Sequence, residues 1–143
     1  MIGSSLHRKE FQMETQTVIG TAGQALKNMF KGMSDDMHLC IQNCVQCHQF
    51  CEQTLQHCLQ MGGLHAAQNH IRLLQDCAAF CATSADFMMR DSALHSRVCA
   101  VCAEICVACA IDCERMSSDK IMQACAEACR RCADSCSKMA VQH

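Results

Sequence analysis

Proline, tryptophan and tyrosine are absent from this chain, and glycine occurs only six times. Many short strands would need more turn punctuation than that, so an all-β sandwich or barrel is excluded and an all-α fold is expected. Aromatic residues amount to 3% of the sequence and the formal net charge is −2. Nucleic acid is held by a basic field for its phosphates and, when single-stranded, by aromatic platforms for its bases; this chain offers neither, so no nucleic-acid partner is expected. No window reaches eighteen consecutive apolar residues, and the first thirty residues contain neither a twin arginine nor an uninterrupted apolar stretch with a cleavage site. The expectation is a soluble, unexported, cytoplasmic chain without a membrane partner. Its 143 residues are the length of one ordinary domain.

What is present in excess is cysteine, sixteen residues in all. That exceeds the roughly 8–10% at which a short secreted chain reads as a disulfide scaffold. In a cytoplasmic chain thiols stay reduced, and repeated cysteines point instead to metal or redox chemistry.

Breaks fall at Gly32, at Gly62-Gly63, around Arg90-Asp91-Ser92 and at Ser117-Ser118, leaving helical stretches at about 9–31, 34–61, 64–89, 92–116 and 119–140. Ser34, Asp91 with Ser92, and Ser118 with Asp119 each offer an oxygen to the exposed amides of a helix start. The last four stretches are similar in length and joined by short turns, which predicts an antiparallel up-down four-helix bundle with an additional N-terminal helix. The domain division expected is an N-terminal helical extension over 1–33 and a cysteine-lined bundle over 34–143. The extension is amphipathic through Phe11, Val18, Ala22, Ala25, Leu26, Met29 and Phe30 and carries no chemistry; it is expected against the outside of the bundle or a neighbouring subunit.

The cysteines follow heptad steps. Cys40, Cys44, Cys47, Cys51 and Cys58 form one stripe, with Met33, Met37, Thr54 and Met61 in step. Cys99, Cys102, Cys106, Cys109 and Cys113 form another, flanked by His95 and Met116. A third runs through Met122, Cys125, Cys129, Cys132, Cys136, Met139 and His143, and a sparser one through His70, Leu74, Cys77, Cys81, Ser84 and Met88. In a bundle these positions face the axis and usually carry Leu or Ile. Thiols there imply a sulfur column, with Ile41, Val45, Leu55, Leu59, Val98, Val101 and Ile105 on the shoulders sealing the helices together.

Same-face neighbours on a helix lie about 5–6 Å apart at Cβ, close enough for two sulfurs to share one soft ion. Copper(I) suits such pairs. Zinc requires four ligands in a closed tetrahedron, each with a net charge of about −2, whereas one copper(I) per thiolate leaves the column neutral. Bridging thiolates would give multiple ions per monomer, on the order of sixteen. Methionine and histidine at the ends suit weaker, exchangeable entry sites. The end where helix 34–61 begins, with Met37 and His38 beside Met33, Met88, His95, Met139 and His143, is the candidate mouth; the opposite end, with His57, Met61, His65, Met116 and Met122, stays open as the alternative entry. Each methionine is equally a core filler, and His70 on its inward stripe is equally a hydrogen-bonded core histidine or a ligand. His7, His48 and His57 are expected to face solvent.

The segments CAVCAEICVACAIDC (99–113) and QACAEACRRCADSC (123–136) resemble the bacterial copper storage proteins, and LCIQNCVQCHQFC and HIRLLQDCAAFC resemble that family's first two bundle helices. The resemblance extends over roughly 38–143. It implies a four-helix bundle, commonly a homotetramer, whose inward cysteines bind copper(I), and the cytosolic branch of the family. The richest members carry further inward cysteines where this chain has Thr54, His70 and Met122, so those positions bear on the number of ions. The expected function is storage of cytosolic copper, buffering or detoxifying it without catalytic turnover. A zinc-thiolate buffer and a thiol-redox protein cycling cysteine pairs stay open as alternatives.

Overall fold

The computed structural model describes residues 21–141, which fall into two compact units divided between Met33 and Ser34. In the first, residues 21–29 are helical and the chain then turns through Gly32, at φ 102°. Phe11 and Val18, on the amphipathic face expected there, lie outside the described residues, as does His7.

The second unit holds helices α1 (Asp35–Met61), α2 (Gln68–Met89), α3 (His95–Glu114) and α4 (Lys120–Val141), with a 3-10 turn at Gly63–Ala66. No strand occurs among the described residues. The helices form a closed ring in which α1 touches α2, α2 touches α3, α3 touches α4 and α4 returns to α1. Neighbours run antiparallel: Cys40 meets Cys136, Cys47 meets Cys129 and Cys51 meets Cys125, so α1 ascends as α4 descends. This is the up-down bundle the heptad stripes predict. No helix is long and apolar enough to cross a membrane among the described residues.

The helix ends follow from local chemistry. Ser34 accepts from the Met37 amide through its hydroxyl at 3.2 Å, and Asp35 and Asp36 place negative charge in the first turn, where the helix dipole favours it. Gly62 and Gly63 take φ of 70° and 56°. In that left-handed region a side chain is strained, so the glycine pair ends α1, and the next residues wind into the 3-10 turn before α2 begins. The start of α2 is therefore at Gln68 rather than near 64. Asp91 and Ser92 do not cap α3 as expected: Ser92 accepts from the Leu94 amide inside a turn, and the helix starts only at His95. Asp119 does cap α4, its Oδ1 accepting from the amides of Ile121 at 2.9 Å and Met122 at 3.4 Å.

The shoulders correct the sequence reading. Ile41 and Leu55 are buried, but Val45, Leu59 and Val101 are exposed. The buried seams are instead filled by Ala78, Ala85, Ala103, Ala110, Ala126, Ala128 and Ala133. Small residues let helices approach closely, which suits an axis filled mostly by cysteine.

Asp119 also ties three elements together, since its Oδ2 accepts from His57 of α1 and His65 of the 3-10 turn. The His57 hydrogen bond is the main reason its carboxyl is held at about 2, below the ordinary 3.8. A carboxylate depressed on folding stabilises at pH above its unfolded value and loses that contribution as pH falls through the folded one. Asp119→Ala should therefore cost the protein about 1 kcal/mol near neutral pH, read from the denaturant midpoint. The difference from wild type should shrink as pH drops from about 4 towards 2; a gap that stays constant with pH would contradict the ionic part of the account.

Candidate metal centre

Each stripe turns its sulfurs inward, and all sixteen thiols are 0–1% exposed. The heptad period keeps them on one side of each helix, and the antiparallel ring brings four such sides to a common axis. Across that axis Cys44 lies 3.5 Å from both Cys132 and Cys136, Cys81 lies 3.5 Å from Cys106, and Cys47 lies 3.7 Å from Cys129.

These contacts resolve into four-sulfur groups whose members lie within 4.8 Å of one another. Cys44, Cys102, Cys132 and Cys136 form one group; Cys81, Cys102, Cys106 and Cys132 the next; then Cys47, Cys77, Cys81 and Cys106; then Cys47, Cys51, Cys77 and Cys129. Taken in that order, each group shares two sulfurs with the one before it. The column is thus a continuous ladder rather than a set of separate sites. At one end Cys40 and Cys99 join it through Cys136. Towards the other, Cys125 lies 3.9 Å from Cys51, and Cys109 and Cys113 interact with Cys125.

All sixteen cysteines are free, with sulfur contacts of 3.5–4.0 Å instead of a bond of about 2.05 Å. Their protons are shared. Cys81 is pushed far above an ordinary thiol by the hydrogen bonds it makes to Cys102, Cys106 and Cys132, with burial adding to the effect. Cys47 is pulled down by hydrogen bonds from Cys106 and Cys129. Two thiolates 4 Å apart repel by about 4 kcal/mol at an effective dielectric of 20, so ionisation of one thiol holds the proton on its neighbours. A soft cation entering between them removes that repulsion.

The ends carry the other ligand types. At one end, Cys58 donates to the Met122 thioether at 3.5 Å and lies 3.4 Å from His70 Nε2. Burial pushes the Cys58 thiol up to about 11. His70 Nδ1 is 2.5 Å from Asp112 Oδ2, so the carboxylate orients the ring and leaves Nε2 facing the column. His70 is accordingly both hydrogen-bonded and turned towards sulfur. A cavity of about 280 Å3, lined by Leu64, His70, Arg115 and Met116 among others, opens beside it. At the opposite end Met88 and Met139 are fully buried, while Met37 and His38 stand half-buried in the first turn of α1, before Cys40. His143 lies outside the described residues. Thr54 and Ser84, on inward stripes, are buried hydroxyls without a hydrogen-bond partner.

Two histidines differ from the sequence reading. His48 is half-buried, with its Nδ1 2.9 Å from the Ala78 carbonyl of α2. His57 is paired with Asp119. Asp112 escaped the sequence reading because it sits off the stripe, beside Cys113 but 42 residues from its partner His70. No spacing rule connects them.

The arrangement is suited to holding many soft ions in shared thiolate sites and unsuited to surface thiol chemistry. The family of copper storage proteins matches residues 33–141. Among solved structures, Nmul_A1745 of Nitrosospira multiformis is 42% identical, with 73% of this chain and 94% of that one covered at a TM-score of 0.70. The Cu(I)-bound copper storage protein BsCsp3 of Bacillus subtilis is 36% identical, covering 75% and 100%, at a TM-score of 0.70. Ccsp of Streptomyces lividans, in a structure loaded with 10 copper equivalents, is 30% identical, covering 76% and 88%, also at 0.70. With its sulfur ladder, its four-helix frame and this match over most of its length, the chain belongs to the copper storage protein family.

Proposed function

We propose that this protein binds and stores multiple copper(I) ions through the thiolates of its bundle axis, buffering or detoxifying cytoplasmic copper. The observation that carries this reading is the ladder of four-sulfur groups, each sharing two cysteines with the next. Mononuclear four-thiolate zinc sites would use each sulfur once, so they could occupy only some of these overlapping groups and would each bury a charge of about −2. Copper(I) is satisfied by fewer thiolates and tolerates bridging ones, so one ion per thiolate fills the column at no net charge. Each ion displaces a thiol proton on entry.

The ligands in this reading are the sixteen cysteines, with His70 and Met122 completing the end around Cys58. Met37 and His38 form the mouth at the other end. The storage unit is 34–143 and residues 1–33 are an extension. Complete burial of the thiols favours storage over catalysis, because redox-active thiols must be reached by their substrates. A cytoplasmic setting fits a column that must stay reduced, and a relative from Streptomyces lividans is described as a cytosolic copper storage protein. Assembly as a homotetramer follows the family resemblance and suits the exposed Val101, Val107 and Ile111 on α3.

Anaerobic titration of the reduced protein with copper(I) against a strong chelator should retain on the order of sixteen ions per chain. Retention of two or fewer would sink the storage reading. Changing Cys81 and Cys106 to Ser removes a shared rung, so capacity should fall by about two ions or more while helicity is kept; undiminished capacity would refute the ladder. Met37→Ala with His38→Ala should slow loading several-fold and leave capacity nearly unchanged, as followed by stopped-flow absorbance. Lost capacity at normal speed would assign those residues to storage instead.

A further inference from the structure

Outside the sulfur column, three ligating side chains converge from separate elements. His57 comes from the last turns of α1, His65 from the 3-10 turn and Asp119 from the start of α4. His57 Nε2 lies 2.6 Å and His65 Nε2 3.0 Å from the same oxygen, Asp119 Oδ2. The two rings stand nearly perpendicular, at 84°, with centroids 5.8 Å apart, so both nitrogens aim at one point without the rings stacking. The carboxylate is fixed independently, because its other oxygen caps α4 through Ile121 and Met122. All three side chains are partly shielded, at 16–20% exposure, yet reachable. His57 also borders a cavity of about 500 Å3 shared with Gln53, Gln60 and Lys120, which leaves room for water as a further ligand.

We propose that His57, His65 and Asp119 form a site for one borderline divalent cation of the zinc class, separate from the copper column. Two imidazole nitrogens and one carboxylate oxygen are a donor set that such ions accept, with water in the fourth position. Copper(I) has sixteen thiolates nearby and gains little from this set. Ligands at about 2.0–2.2 Å in a tetrahedron stand about 3.3–3.5 Å apart, so the two nitrogens need to draw back from the oxygen by less than about 1 Å. Each ring presents its lone pair by moving its proton from Nε2 to Nδ1, with no net change in charge on the ligands. The cation then takes over the link that the hydrogen bonds now make between α1, the 3-10 turn and α4.

The test uses untagged full-length protein saturated with copper(I) under anaerobic conditions, then equilibrated with zinc, desalted and counted by elemental analysis. Wild type should keep one zinc ion per chain. His65→Ala and His57→Gln should keep none, with the same copper content and helicity as wild type. No zinc on wild type, or equal zinc on wild type and both variants, would overturn the site. Cobalt(II) in place of zinc identifies the donors in wild type alone, so the proposal does not hang on how the variants fold. Weak visible bands of nitrogen and oxygen ligation support it, and intense thiolate-to-cobalt charge-transfer bands would move the ion into the column and refute it.

Discussion

A helical bundle has to fill its axis, and this one fills it with sulfur. Cysteine is a small hydrophobe when protonated, so the sequence gains a dry core without the bulk of leucine. Smaller axial side chains oblige the helices to stand closer, and alanine at the seams makes that approach possible. The exposed Val45, Leu59 and Val101 are the other side of the same adjustment: once the seams belong to alanine, larger shoulder residues turn outward. Fold and ligand set are therefore one constraint. Altering the axis to widen it would lose thiols, and altering the seams would separate them.

Charge determines which ion such an axis suits. Neighbouring sulfurs lie 3.5–4.0 Å apart, where two thiolates repel by about 4 kcal/mol even at an effective dielectric of 20. Without metal the protons must stay, shared along hydrogen bonds that push some thiols up and pull others down. A univalent ion replaces each proton charge for charge. Divalent ions in separate four-sulfur sites would leave two negative charges buried per site, and overlapping groups could not all be occupied as separate sites.

The stripes made most of this legible in advance. A step of three and four residues repeated over three turns has one geometric meaning, so the inward face of every helix, including the sparse one with His70, Leu74, Ser84 and Met88, was readable from spacing alone. Starts governed by a single side chain, such as Ser34 and Asp119, were equally readable. Ser92 was not, because the same side-chain oxygen serves a turn as well as a helix. Partnerships between residues on different helices left no local trace: His70 with Asp112, His48 with the Ala78 carbonyl and His57 with Asp119 depend on the rotation of one helix against another. A sequence pattern fixes which face is inward, but the pairing of polar groups at its margin is settled only when the helices dock.

Asp119 is where the two donor sets meet. One of its oxygens holds the first turn of α4, the turn that carries Met122 against Cys58; the other gathers His57 and His65. The carboxylate is rigid, so what its outer oxygen binds bears on how firmly its inner oxygen holds that turn. Met122, Cys58 and His70 form the last step of the column at this end, and Asp112 orients His70 from the opposite side. The histidine cluster and the sulfur ladder thus differ in ligand chemistry but share a mechanical link one residue wide. Replacing a hydrogen-bonded link by a metal-ligated one would stiffen the end of the column without adding a ligand to it, because the soft ions and the borderline ion prefer different atoms.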